Sequence, residues 1–345
     1  MNHFEKKVFL LFALFIVTAF FWSCKKTEPV AGKPAAEQVN ADGKVDRYRE
    51  LIRSPEKGRL TIYFLDLSVS PEAVDKSGDA GLILLPDGKV MMVDSGHPES
   101  AADSLALLSD LKISRIDYFI LSHPHIDHVG GFPAIAEKHE IGEVYQIDME
   151  YPTESYRRYR AALDLHRIPV YMLKRGDTVS FGDEVSAKVY NPPEDFSYPE
   201  GNLGSVEPRR RVPAGFPDNS TQFVNDNSLV LKLTWGKTGI LLGGDIYLTR
   251  ERELTELYGD ELRSVIAKAN HHGLDSSNSI RWIRTVQPRV VVAMNDLFSS
   301  MTVYNNFKKN GAAFYHTFLD GLVRVSLDRE GNCEVTSRFD SWLRN

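Results

Sequence analysis

The sequence predicts an α/β fold in which two β-sheets pack face to face between layers of helix. Three observations carry this. Short β-rich apolar runs alternate with helical stretches through both halves of the chain. Turn sequences such as Pro86-Asp87-Gly88-Lys89 and Gly236-Lys237 separate paired runs. The apolar fraction, 42% of 345 residues, is enough to bury a substantial core.

The elements follow in order. Residues 48–53 read as a short helical lead-in, and the folded body begins near residue 59. Strands are expected over residues 60–65, 82–85, 90–93, 116–121, 144–147 and 170–173. Helices are expected just after Gly130-Gly131 and over residues 156–166. In the second half, residues 229–235 and 240–242 read as a hairpin. Residues 265–269, 290–293 and 323–327 read as strands, and residues 250–258, 280–286 and 303–309 as helices. Residues 191–223 resist this pattern: they are rich in Pro, Gly, Asn and Arg, as befits a lid or an insertion. A shorter insertion of similar character covers residues 67–77.

The N-terminus reads as a targeting segment. Lys6 and Lys7 precede an apolar run from Val8 to Phe21, shorter than the ~20 residues a spanning helix needs. The run ends at Trp22-Ser23-Cys24, which resembles a bacterial lipoprotein signal with Cys24 as the lipidated residue. An uncleaved anchor and an ordinary secretion signal are the other readings. All three put the body outside the cytoplasm, and the lipoprotein reading holds it in the cell envelope by its lipid. The expected organisation is a signal peptide over 1–24, a tether and lead-in over 25–58, and one domain over 59–345 with its insertion at 191–223. Cys333 reads as structural. The net charge of −6 makes long duplex DNA a poor partner.

The chemistry is concentrated in Ser122-His123-Pro124-His125-Ile126-Asp127-His128, directly after an expected strand. Imidazole and carboxylate are ligands that zinc or manganese takes. In an extended loop alternate residues point the same way. His123 and His125 then converge on one ion, while Asp127 and His128 turn toward a second.

This His-x-His-x-Asp-His pattern resembles the signature of the metallo-β-lactamase superfamily. Val93-Asp94-Ser95-Gly96, Leu242-Gly243-Gly244-Asp245 and Ala269-Asn270-His271-His272-Gly273 resemble its other motifs, in order. The resemblance implies a four-layer αββα sandwich. It implies that Asp94 orients the histidine loop and that Asp245 bridges two divalent ions, zinc or else manganese. One of the paired histidines is then a ligand. The pair is expected to end a strand, so that its side chains face opposite ways: His272 is the ligand, with His271 facing substrate or a neighbouring loop. Asp127 serves as ligand and as orienter of the nucleophile, a hydroxide held by the ions.

Within the superfamily, Tyr63-Phe64-Leu65-Asp66, Gly78-Asp79-Ala80 and Asn225-Asp226-Asn227-Ser228 are similar to the soluble hydrolase domain of ComEC-type competence proteins. That branch is linked with nuclease activity, so a small or oligomeric phosphodiester is the implied substrate. Another ester, lactone or amide is the alternative, and a non-catalytic envelope binding module a third reading. The chain departs from the branch in having only an N-terminal anchor, and in carrying His125 where Asp is common. It also lacks the superfamily's further histidine between the second and fourth motifs. His139 and His166 there read as surface or packing residues, and Asn225 and Asp226 occupy the region, next to the first metal or the substrate. Arg209-Arg210-Arg211 reads either as a phosphate grip or as a solvated charge run. No role is assigned to His97 or His316.

Overall fold

The computed structural model describes residues 38–39, 45–53, 57–193 and 220–344. Cys24, the signal segment, most of the tether and Arg209–Arg211 lie outside the described residues. So does residues 194–219 of the expected insertion. Two two-residue strands, β1 (Gln38–Val39) and β2 (Val45–Asp46), and a turn of helix, α1 (Tyr48–Leu51), precede the body.

The body is an αββα sandwich. The first sheet has eight strands and begins with β3 (Leu60–Phe64), β4 (Gly81–Leu84), β5 (Val90–Val93) and β6 (Arg115–Ile120). It continues with β7 (Glu140–Gln146) and β8 (Val170–Met172) and is completed late in the chain by β16 (Val323–Leu327) and β17 (Cys333–Ser337). Its order is β17-β16-β3-β4-β5-β6-β7-β8, antiparallel as far as β5 and parallel from β5 to β8. The second sheet runs β15-β14-β13-β12-β11-β10-β9. Its strands are β9 (Thr178–Phe181), β10 (Val185–Asn191), β11 (Val230–Trp235), β12 (Thr238–Leu242), β13 (Ile266–Lys268), β14 (Val290–Ala293) and β15 (Ala313–His316).

Strand alternation explains why the second sheet is apolar on both faces. Val290 and Val292 of β14 join the core between the sheets, whereas Val291 and Ala293 join a second core under helices. Those helices are α7 (Leu248–Tyr258), α8 (Ile280–Val286) and α9 (Met301–Lys309). They cover the second sheet through Leu254, Trp282, Ile283, Val303 and Phe307. The first sheet is covered by α2 (Ala101–Asp110), α4 (Phe132–Lys138) and α5 (Glu154–His166), with Phe132 against Phe119 and Tyr159. Three short helices complete the inventory: α3 (Ile126–Val129), α6 (Ser220–Asp226) and α10 (Thr317–Asp320).

Two expectations are corrected. Asp127 and His128 do not lie in an extended loop: the chain turns helical at Ile126 and they occupy α3. The paired histidines do not end a strand: β13 stops at Lys268, and His271 and His272 sit in a 3-10 turn at φ of 45° and 54°.

Candidate metal centre

Parallel strands with crossovers gather their carboxyl ends along one rim, where α/β proteins bind ligands. Asp94 follows β5, His123 and His125 follow β6, Asp245 follows β12, and His271 and His272 follow β13. The first sheet thus supplies Asp127 and His128, and the second supplies Asp245 and His272.

Four donor atoms converge across the seam. His272 Nε2 lies 3.1 Å from Asp127 Oδ2 and 3.0 Å from Asp245 Oδ2. His128 Nε2 lies 3.2 Å from Asp245 Oδ2 and 3.7 Å from Asp127 Oδ2. A tetrahedral ion bound at about 2 Å holds its ligand atoms roughly 3.3 Å apart. Although buried, His272 Nε2 and Asp127 Oδ2 have no hydrogen-bond geometry with any partner. His128 Nε2 and Asp245 Oδ2 are paired with each other, while His272 Nε2 and Asp127 Oδ2 are left unpaired beside them, and a donor set of two imidazoles and two carboxylates fits a divalent ion.

Behind each imidazole stands a carboxylate that fixes its orientation. Asp94 Oδ2 lies 2.9 Å from His128 Nδ1, and the same carboxylate accepts from Ser122 N at 2.7 Å and Ser122 Oγ at 2.8 Å. Asp94 reaches these partners from a left-handed backbone at φ 58°. Asp79 Oδ1 lies 2.9 Å from His272 Nδ1, and its Oδ2 pairs with the buried Lys268 ammonium at 2.5 Å. Donor atoms of Asp79, His128, Asp245 and His272 all lie within 4.8 Å of one another. Asp79 stands behind His272, with Oδ1 on its Nδ1 and Oδ2 in an ion pair with Lys268.

A neighbouring histidine pair lies beside these four residues. His123 Nε2 and His125 Nδ1 are 3.0 Å apart, His123 Nε2 is 4.0 Å from Asp245 Oδ2, and His125 Nε2 is buried without a partner. Asp245 Oδ2 therefore faces both histidine pairs, while its Oδ1 is 3.3 Å from Lys268. Among the described residues no third histidine joins His123 and His125. His139 caps the C-terminal end of α4 and His166 ends α5, half-buried and exposed respectively.

Charge follows from this placement. Burial opposes the charged form of His128, but Asp245, Asp127 and Asp94 outweigh it and hold the imidazole well above its usual pKa. His272 is raised to about 10, with burial opposed by Asp245 and Asp79. Burial and the like charge of His128 hold His123 well below the usual range, and burial takes His125 to about 4. Both are thus neutral, as ligands must be.

The remaining expected residues divide. His271 packs on Tyr247, with ring centroids 4.7 Å apart, and its Nδ1 meets Ser276 Oγ at 2.5 Å. It lines a cleft of about 580 Å3 that opens beside His125 and Asp127. Asn225 lines the same cleft, with its Oδ1 buried and unpartnered. Asp226 does not: its carboxylate accepts from Tyr247 N at 3.0 Å and secures the end of α6. His97 caps a 3-10 turn, and His316 accepts from Ser299 N.

Sequence reasoning assigned no role to Lys76, Asp79, Glu251 or Lys268. Lys268 carried a usable signal, a lysine within an apolar strand, since a lysine is rarely buried without a partner. Glu251, fully buried, accepts from Asn270 Nδ2, Asn278 N and Ser279 N and so shapes the turn that carries His272.

Residues 74–208 match the family model of the metallo-beta-lactamase superfamily. Competence protein ComA of Neisseria gonorrhoeae is 25% identical over 281 residues, which are 77% of this chain and 35% of that protein. The chain thus spans about a third of the length of that relative. A metal-dependent hydrolase of Anaeromyxobacter sp. (strain K) is 24% identical over 228 residues, 63% of this chain and 71% of the relative. The metallo-beta-lactamase fold protein YhfI from Bacillus subtilis aligns with a TM-score of 0.46 at 10% identity, over 81% of this chain and 100% of that one. The match covers residues 74–208, which hold the Val93–Gly96 and His123–His128 motifs, so this part of the chain is similar to the metallo-beta-lactamase superfamily.

Proposed function

We propose that this chain is a metal-dependent hydrolase of phosphodiester bonds, held in the cell envelope through lipid on Cys24. The observation that carries the hydrolase reading is the convergence of Asp127 Oδ2, His128 Nε2, Asp245 Oδ2 and His272 Nε2 at one rim of the sandwich. The likeness of its motifs to ComEC-type domains, and the match to a competence protein, favour a phosphodiester over a lactone or an amide.

When bound, divalent ions polarise the scissile group and lower the pKa of water toward neutrality. The chain's own groups prepare that chemistry. Asp94 and Asp79 hold His128 and His272 with Nε2 facing the site. Asp245 offers Oδ2 to both histidine pairs while Lys268 restrains Oδ1. His271, which burial holds at a pKa of about 3, presents a neutral imidazole to the cleft.

The test is metal analysis of the full chain, with turnover of bis(p-nitrophenyl) phosphate, a phosphomonoester, a lactone and a β-lactam under one metal condition. Bound metal and turnover of the diester are expected. Asp245→Asn should fold and lose at least about a hundredfold in kcat, since its Oδ2 faces both sites. Turnover of a lactone with none of any phosphodiester overturns the substrate, and absence of metal binding overturns the hydrolase.

A further inference from the structure

We propose that Lys76 is the residue that selects an anionic substrate, by gripping a non-bridging phosphodiester oxygen at the mouth of the metal site. This inference rests on the reading of the chain as a phosphodiester hydrolase and names the group that would enforce it.

Lys76 belongs to the insertion over residues 67–77, which is tied down rather than loose. Ser68 N and Oγ each meet Asp103 Oδ2 at 2.8 Å, and Ser70 N meets Glu99 at 2.9 Å. Ser77 O accepts from His97 N at 2.9 Å. The next residues lock onto the metal loop itself, with Asp79 N donating to Asp127 O at 3.0 Å. The position of Lys76 over the site is therefore set by backbone contacts on both sides of it.

The ammonium stands 3.4 Å from Asp127 Oδ2, yet that oxygen has no hydrogen-bond partner. The same oxygen faces His272 Nε2 at 3.1 Å, so it is committed to the metal locus. Lys76 keeps 30% of its side chain exposed and lines the cleft beside His125 and His271. The other cationic side chain among the described residues lining this cleft is Arg157, which is paired with Glu154 at 3.0 Å on its own helix. Lys76 is thus the positive charge offered to a ligand that reaches the metal ligands from the cleft. A compact ammonium with three donors recognises a phosphoryl oxygen as a point charge.

The test compares the full wild-type chain with Lys76→Ala and Lys76→Arg, all zinc-loaded, by three readouts. Titration calorimetry with dimethyl phosphate, an inert phosphodiester monoanion, should show affinity reduced at least about tenfold in Lys76→Ala and largely restored in Lys76→Arg. The KM for bis(p-nitrophenyl) phosphate should rise in step, with kcat changed less than KM. Zinc content should be the same in all three proteins. Equal dimethyl phosphate affinity in Lys76→Ala overturns the proposal. So does loss of zinc from that variant, since Lys76 would then be a counter-charge assembling Asp127. If the wild type turns over lactones and no phosphodiester, the functional reading fails, while the calorimetric comparison still reports on Lys76 independently.

Discussion

Asp94→Asn should weaken metal binding without unfolding the chain, and the hydrogen bonds say by how much. The wild-type carboxylate accepts three bonds, from Ser122 N, Ser122 Oγ and His128 Nδ1 at 2.7, 2.8 and 2.9 Å. In the amide, Oδ1 keeps the Ser122 N bond. The new NH2 faces Ser122 Oγ, which can rotate its proton away and accept. His128 has no such freedom: its Nδ1 must give up its proton to accept, which moves that proton to Nε2. Nε2 is the atom facing Asp245 at 3.2 Å, where the ion belongs. Loss of such a supporting carboxylate typically reduces metal affinity roughly 10- to 100-fold, about 1.4–2.7 kcal/mol. Stability of the metal-free protein should fall by roughly 1–3 kcal/mol, because the protonated His128 loses a buried carboxylate partner and its Nδ1–H then faces the new NH2. Asp94→Ala instead orphans Ser122 N and His128 Nδ1 and should cost roughly 2–5 kcal/mol of stability. Competition for zinc with a chromophoric chelator measures the first effect, and denaturant unfolding of the metal-free proteins measures the second. Zinc affinity in Asp94→Asn equal to wild type would refute the assignment of Asp94 as the partner that sets the His128 tautomer.

Gly78→Ala should abolish a native metal site: a Cβ there would stand 1.7 Å from Asp127 O, on a residue at φ 79°. The expected readout is a large drop in thermal midpoint with loss of stoichiometric zinc, and an unchanged midpoint would contradict the packing of the insertion on α3. The metal-free chain should lose stability as pH rises. Because the folded pKa of His272 is raised to about 10 from 6.5, its contribution is fully present below about pH 6.5 and is lost as pH climbs through about 10. His128, also raised, acts in the same sense. Zinc must displace these protons, so its apparent affinity should rise with pH over the same window. Thermal melts of chelator-treated protein that are flat or rising from pH 6 to 10 would refute the charge assignment.

Much of this was legible in the sequence because the relevant signals are local. The strand at Val290–Ala293 and the helix at Ile280–Val286 have the bounds expected from their patterns. The density of ligand types between His123 and His128 marked the site without any knowledge of the fold. What escaped is what depends on distant partners. Strand β9 is short and mixes polar with apolar residues, as in Thr-Val-Ser-Phe, so periodicity says little over that length. The turn that carries His271 and His272 is held in a left-handed backbone by Glu251 on another helix. Lys76 looked like one residue of a polar insertion, and contacts on both sides of it, to Asp103 and Glu99 before it and to His97 and Asp127 after it, place it over the cleft.

The least local feature is the Asp79–Lys268 pair, and it ties the chemistry to the assembly of the fold. Asp79 precedes β4 of the first sheet and Lys268 ends β13 of the second, so the ion pair crosses the seam directly behind His272. A buried pair of this kind is weak evidence of net stability, but removing one partner strands a buried charge. Lys268 also donates to Gly244 O at 2.9 Å and faces Asp245 Oδ1, which fixes the strand end that carries Asp245. Without metal, the four carboxylates Asp79, Asp94, Asp127 and Asp245 are balanced by Lys268, Lys76 and the protonated His128 and His272. His128 and His272 would have to give up these protons to hold a metal, and the residues that would hold it come from both sheets. Metal occupancy and docking of the two sheets therefore share one free energy, because an ion held only by the docked arrangement stabilises it by mass action.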